Sequence, residues 1–108
     1  MLILKAEVYF DNPNDNQEGL PNDLSTKNII RPSLNFGNDV LFSGTILADE
    51  NIESIIRGQY YTVTIEMPSI GNEELECIRG YLRVGSPFKI QSASKKIGKG
   101  KILDYLYG

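Results

Sequence analysis

Apolar and polar residues alternate with a period of two over most of this chain. At positions 2–10, Leu2, Leu4, Ala6, Val8 and Phe10 share one parity and Lys5, Glu7 and Tyr9 the other. That is the pattern of a strand with one face buried and one face in water. Positions 40–48 repeat it, with Val40, Phe42, Ile46 and Ala48 set inward and Ser43 and Thr45 outward. So do positions 59–67, where Tyr61, Val63, Ile65 and Met67 oppose Tyr60, Thr62, Thr64 and Glu66. Shorter strands are predicted at 29–36, 78–84 and 87–92, and a last one at 95–106. Pro32 has no N–H to offer a ladder, so the 29–36 strand is expected at an edge or a bulge. Ile97 and Ile102 have opposite parity, so the last strand must change register between them. Gly98 and Gly100 would permit the bulge, or the close approach of another backbone.

No window carries the 3.6-residue period of an amphipathic helix. The nearest is 48–58, where Ile52, Ile55 and Ile56 fall at i, i+3 and i+4 before Gly58; one helical turn is expected there. Positions 11–28 are rich in Asn, Asp, Gly and Pro and offer almost nothing to bury. A loop of that length in a compact domain is functional or disordered. No repeat and no linker divides the chain, so residues 1–108 read as one domain. Six or seven strands without helices to cover them predict an all-β sandwich or closed barrel, and closure has the advantage of removing exposed edges.

Composition agrees and narrows the chemistry. With 108 residues, 41% hydrophobic and 23% charged, the chain can bury a core without metal or disulfide. No apolar run reaches the ~18 residues of a membrane helix, and the first ten residues lack the basic start and small-residue cleavage site of a secretory signal. The single cysteine, Cys77, suits a reducing compartment, so a cytoplasmic location is expected. The absence of histidine removes the commonest general base, the Ser-His-Asp and Cys-His arrangements and the usual zinc ligand. Cys77 follows Glu74 and Glu76, whose charges oppose a thiolate, although Arg79 is near. The Lys95–Lys101 run is not a phosphate-binding loop: Lys95 stands where the pattern needs its first glycine, and Ile102 where it needs Ser or Thr. Asp49-Glu50 and Glu73-Glu74 read as solvated turn charges, and 11–15 lacks the order of a calcium loop. No enzyme activity, cofactor, metal or nucleotide is expected.

The net charge of −3 conceals an asymmetry. Residues 1–76 hold four Lys/Arg against thirteen Asp/Glu, a net −9, whereas residues 77–108 hold seven against Asp104 alone, a net +6. A basic segment on an acidic protein is either a local anion site or a strand face whose charges mix in three dimensions.

Three segments, in order, resemble the third, C-terminal domain of elongation factor Tu. Residues 3–10, ILKAEVYF, are similar to that family's opening strand, and a long polar loop follows in both. Residues 30–46 resemble its Tyr-Arg-Pro strand running into an Asp-Val-x-Gly-Thr-Ile strand, with Arg31, Pro32, Phe36, Asp39, Val40, Gly44, Thr45 and Ile46 in step. In residues 85–100, Gly85, Phe88, Ile90, Gly98 and Gly100 coincide. Residues 57–67 fit the family's turn and alternating strand. The resemblance covers nearly the whole chain and implies a closed six-stranded antiparallel, Greek-key-like β-barrel. It lacks the GTPase and middle domains, so GTP chemistry does not carry over. The family's third domain touches the T-arm of tRNA through an Arg-Glu-Gly-Gly-Arg-Thr region; here Gln91, Ser92, Ala93 and Ser94 replace its first four residues, and Lys95 and Lys96 the last two. Lysine does not reproduce arginine's bidentate grip on phosphate. Residues 71–84 are longer than the family's equivalent and acidic at the tip.

Two binding functions follow. One is a protein-interaction module that docks on a translation factor, competes with one, or neutralises a toxin, with exposed tyrosines such as Tyr60 and Tyr81, and also Tyr9, Tyr105 and Tyr107, as anchors. The alternative is contact with the backbone of tRNA or another RNA through Lys95, Lys96, Lys99 and Lys101, with Arg31 and Lys89 as outlying cations.

Overall fold

The computed structural model describes residues 1–108. Strand β1 (Leu2–Phe10) has the predicted inward set of Leu2, Leu4, Ala6, Val8 and Phe10, each no more than 1% exposed. It runs antiparallel between β7 (Tyr60–Met67) and β9 (Lys95–Tyr107). In β7 the alternation again holds, with Val63, Ile65 and Met67 buried. On the far side of β9 lies β8 (Pro87–Ser92), then β3 (Ser33–Asn35) and β4 (Leu41–Ser43); beyond β7 lies β5 (Thr45–Leu47).

The sheet therefore has seven hydrogen-bonded strands, with β4 and β5 at its two edges. Those edges belong to one extended segment interrupted only by Gly44. Ile46 pairs with Ile65 of β7 and also bridges to Ile30, donating its N–H to the Ile30 carbonyl at 2.8 Å. The segment thus closes the sheet on itself. Counting β4 and β5 as one bent strand recovers the expected six-stranded barrel. β3, the β4–β5 segment and β7 follow one another as neighbours, and β1 lies beside β7 after a long connection, a Greek-key arrangement. Glycine is required at the bend: a Cβ on Gly44 would stand 2.7 Å from Ile65 Cγ2 and 3.3 Å from Leu34 Cδ1 inside the barrel. Val40 precedes β4, in the turn where Gly37 and Asp39 hold positive φ, and is 47% exposed, contrary to its parity.

β9 satisfies its conflicting parities by two register shifts. The one at Ile97 against β8 lets Ile97 and Ile102 both be buried despite their opposite parity, and the other, at Leu103 against β1, resets the strand beyond Ile102. Gly98 and Gly100 sit where other groups come too close for a side chain: a Cβ would meet the Tyr9 carbonyl oxygen at 2.5 Å and Phe88 Cζ at 2.2 Å, respectively.

Four local expectations need correction. Residues 78–84 are not a strand. Helix α1 (Asn72–Ile78) occupies the acidic stretch, followed by a 3-10 turn at Arg79–Tyr81. Glu73 and Glu74, read as turn charges, lie in its first turn, and Glu74 Oε1 accepts the Gly71 N–H at 2.9 Å. Carboxylates there complement the unpaired N–H groups and the positive end of the helix dipole. Ile78 and Leu82 reach the common core, while Val84, which completes the apparent alternation, is 70% exposed. Residues 48–58 form no helix. A turn closed by Ile52 N–H to the Asp49 carbonyl leads into β6 (Ser54–Ile55), paired with β2 (Leu24–Ser25). Pro32 sits just before β3 rather than within a strand. Apart from these corrections, the 11–28 loop, expected to be functional or disordered, is ordered: Asn12 Oδ1 accepts the N–H groups of Asn14 and Asp15, and Leu20 and Leu24 pack against the core.

Twenty buried apolar residues form one cluster that unites the barrel interior with Ile55, Ile70, Ile78 and Leu82. No helix is long and apolar enough to cross a membrane.

Candidate functional site

Strand pairing places directly opposed side chains on the same face of a sheet. Outside the barrel, Lys89 of β8 is opposite Lys99 of β9, Lys99 is opposite Tyr9 of β1, and Tyr9 is opposite Tyr60 of β7. With neighbouring strands about 4.8 Å apart, these four residues make a row roughly 14 Å long across the outer face. The Tyr9 and Tyr60 rings lie 4.8 Å apart at a 44° tilt. Lys99 Nζ is 5.2 Å from the Tyr9 ring centroid and 6.0 Å from that of Tyr60, within reach for a cation to be drawn to the aromatic faces. Tyr60 is 58% exposed. Desolvation, and then the Asp15 carboxylate that accepts the Tyr9 hydroxyl at 3.3 Å, raise the Tyr9 phenol above its ordinary pKa of 10.0. The hydroxyl therefore remains a donor to Asp15 throughout the neutral range.

The other basic candidates divide. Lys101 lies in the adjacent row, 4.0 Å from Glu7. Lys96 leaves the row altogether: its ammonium binds Asp11 Oδ2 at 3.1 Å. Asp11 is one of two buried polar residues, and Asn16 Nδ2 fastens the pair by donating to the same carboxylate oxygen and to the Lys96 carbonyl, both at 2.9 Å. Lys95 begins β9 and is exposed, in no ion pair. Beyond Lys89, a hollow of about 400 Å³ is lined by Asn35, Asp39, Gln91, Ser94 and Lys96. Asn35 there donates to Gln91 at 3.0 Å and accepts the Gly37 N–H at 2.9 Å.

Two candidates stand apart from this row. Arg31 borders a separate cleft of about 410 Å³ lined by Phe10, Leu24, Pro32 and Ile97. Tyr81, in the 3-10 turn, lies against the turn between β3 and β4, close enough that a Cβ on Gly37 would come within 3.3 Å of its ring. The sequence proximity of the lysines thus overstated their spatial union. Asp11 and Asn16 were missed because their role depends on an 80-residue-distant partner that alternation does not reveal.

Cys77 is exposed on α1 and unpaired. No group of three or more His, Cys, Asp or Glu side chains converges as a metal site. No family model matches this chain, and no curated protein matches it either.

Proposed function

We propose that this chain is a non-catalytic protein-binding module, a relative of the third domain of elongation factor Tu, that docks through its Tyr60–Tyr9–Lys99–Lys89 row. The kinship is supported by the closed Greek-key barrel and by the closure at Gly44. The docking reading rests on one observation: two tyrosines held ring to ring with a lysine over them on an outer sheet face. Large, rigid amphipathic rings with a neighbouring cation supply contact area at little entropic cost, which is why such residues dominate interface energies. A partner with an acidic rim around an apolar centre would complement the row. A translation factor or a toxin of that surface chemistry fits the reading.

Binding to the RNA backbone is the second reading, favoured by Lys89, Lys95 and Lys99, which no carboxylate pairs. Protein ranks first because a phosphate approaching Lys96 or Lys101 meets Asp11 or Glu7 already in place. The test is a photo-crosslinking residue at position 60, with position 64 on the same face of β7 as control, followed by purification of the captured protein. Its affinity should fall at least tenfold with Tyr60→Ala and with Lys99→Glu. Unchanged affinity in both variants would refute the docking row. If tRNA instead binds with an affinity that falls by nearly one logarithmic unit per contact for each tenfold rise in salt, and Lys95→Ala and Lys99→Ala reduce it, the RNA reading replaces the protein one.

A further inference from the structure

The barrel wall parts at one place. Past the Ile46–Ile30 hydrogen bond of 2.8 Å, no backbone hydrogen bond joins 27–29 to 47–51. The two chains meet again at Thr26, whose N–H donates to the Glu53 carbonyl at 3.0 Å and whose hydroxyl donates to the Ile52 carbonyl at 2.6 Å. Between these ties lies a cleft of about 560 Å³. Its apolar lining is Ile30, Ile46, Leu47, Ala48 and Ile52, and at its lip stands Ile29, 84% exposed. An isoleucine this exposed beside a half-exposed Leu47 leaves apolar surface in water that neither the barrel nor the 11–28 loop covers. Three carboxylates, Asp49, Glu50 and Glu53, border the cleft against the one cation Lys27, and none of the three is in an ion pair.

We infer that this cleft receives an extended segment of a protein partner carrying lysine or arginine next to an aliphatic side chain. The aliphatic group lies against Ile29, Leu47 and Ile52, and the cation faces Asp49, Glu50 and Glu53. Leu47 already pairs with Thr64 of β7 and the Asp49 carbonyl with the Ile52 N–H, so the main-chain groups of Ala48 between them are the ones free to meet an extended chain, as peptides do at sheet edges. Charge decides the occupant. A phosphate backbone would be repelled by three carboxylates, whereas a cationic apolar peptide is attracted by them. A second copy of this chain is a poor occupant, because its own run of lysines is in β9, paired on both sides by β1 and β8. This site is independent of the Tyr60–Lys99 row and opposite to it in charge, so the module would hold two different surfaces at once.

The probe is an isotope-edited amide spectrum titrated with the peptide acetyl-Lys-Leu-Lys-Leu-Lys-Leu-amide, and with control peptides in which serine replaces leucine or glutamate replaces lysine. The expected result is shifts concentrated in 27–30 and 47–53, an affinity at least tenfold above both controls, and a tenfold loss with Ile29→Ser and with Glu50→Lys/Glu53→Lys. Ile29 and the carboxylates are exposed, so these variants retain the fold, and an unchanged Tm verifies it. Tyr60→Ala should leave the titration unaltered, which separates failure here from failure of the docking row. Absence of binding, equal binding of the serine peptide, or shifts centred elsewhere would overturn the inference.

Discussion

Asp23 shows how much a single loop carboxylate depends on one distant residue. The Arg57 N–H donates to Asp23 Oδ1 at 3.0 Å and the Arg57 Nε to the same oxygen at 2.9 Å. Those hydrogen bonds, the backbone one foremost, lower Asp23 below its ordinary pKa of 3.8. A depressed folded value means that protons bind the unfolded chain more readily. The stabilisation is therefore complete above the ordinary carboxyl range and is lost as pH falls through the folded value. Carbonyl-carbon NMR titration should find Asp23 titrating below free aspartate, and Asp23→Ala should flatten the stability profile below about pH 4. Gly98 makes a steric case of the same size. Its missing Cβ leaves 2.5 Å to the Tyr9 carbonyl oxygen, a backbone atom that cannot rotate away. Gly98→Ala should cost about 1–3 kcal/mol, read by urea unfolding, with faster amide exchange at the β1–β9 pairing.

Among the elements, the β8–β9 hairpin carries a visible strain. Its turn holds Ala93 at φ 54, in the region glycine occupies freely. Ala93→Gly should therefore stabilise the chain, by about 0.5–1 kcal/mol once the added freedom of the unfolded chain is subtracted. A thermal melt checks the direction. A fall in Tm would mean that the turn is not strained. Legibility also varied by element. β1 and β7 were readable because each turns one face to the core, wholly in β1 and all but the half-buried Tyr61 in β7, so burial writes itself onto every second residue. α1 was not, because its seven residues bury Ile78 while leaving most of the helix exposed, too short a stretch for a 3.6-residue period to emerge. The signal that could have found it was Glu73-Glu74 behind Gly71, an acidic first turn ahead of Leu75, Ile78 and Leu82. The 48–58 isoleucines misled for the opposite reason. Ile55 is buried by its place in a two-residue strand, not by helical spacing, and Ile56 is 41% exposed.

At the scale of the molecule, closure hangs on the segment 41–47 serving two neighbours. Gly44→Val would drive a branched side chain against Ile65 Cγ2 and Leu34 Cδ1. We expect a loss of about 1–3 kcal/mol or more, a Tm lower by roughly 4–8 °C for each kcal/mol, and protease cleavage near residues 41–47. An unchanged Tm would show that the barrel closes without this bend. The sequence by itself determined the β class, the inward residues of the long strands and the two tight glycines of β9. Each of these is a local consequence of alternation or of missing side-chain volume. Only the tertiary structure decided which charges are free. Lys96 and Lys99 are neighbours in the lysine run, yet one is bound by Asp11 and the other rises over Tyr9 and Tyr60. The register of β1 against β9 and the folding of the 11–28 loop make that difference, because the charges concerned are up to 85 residues apart along the chain.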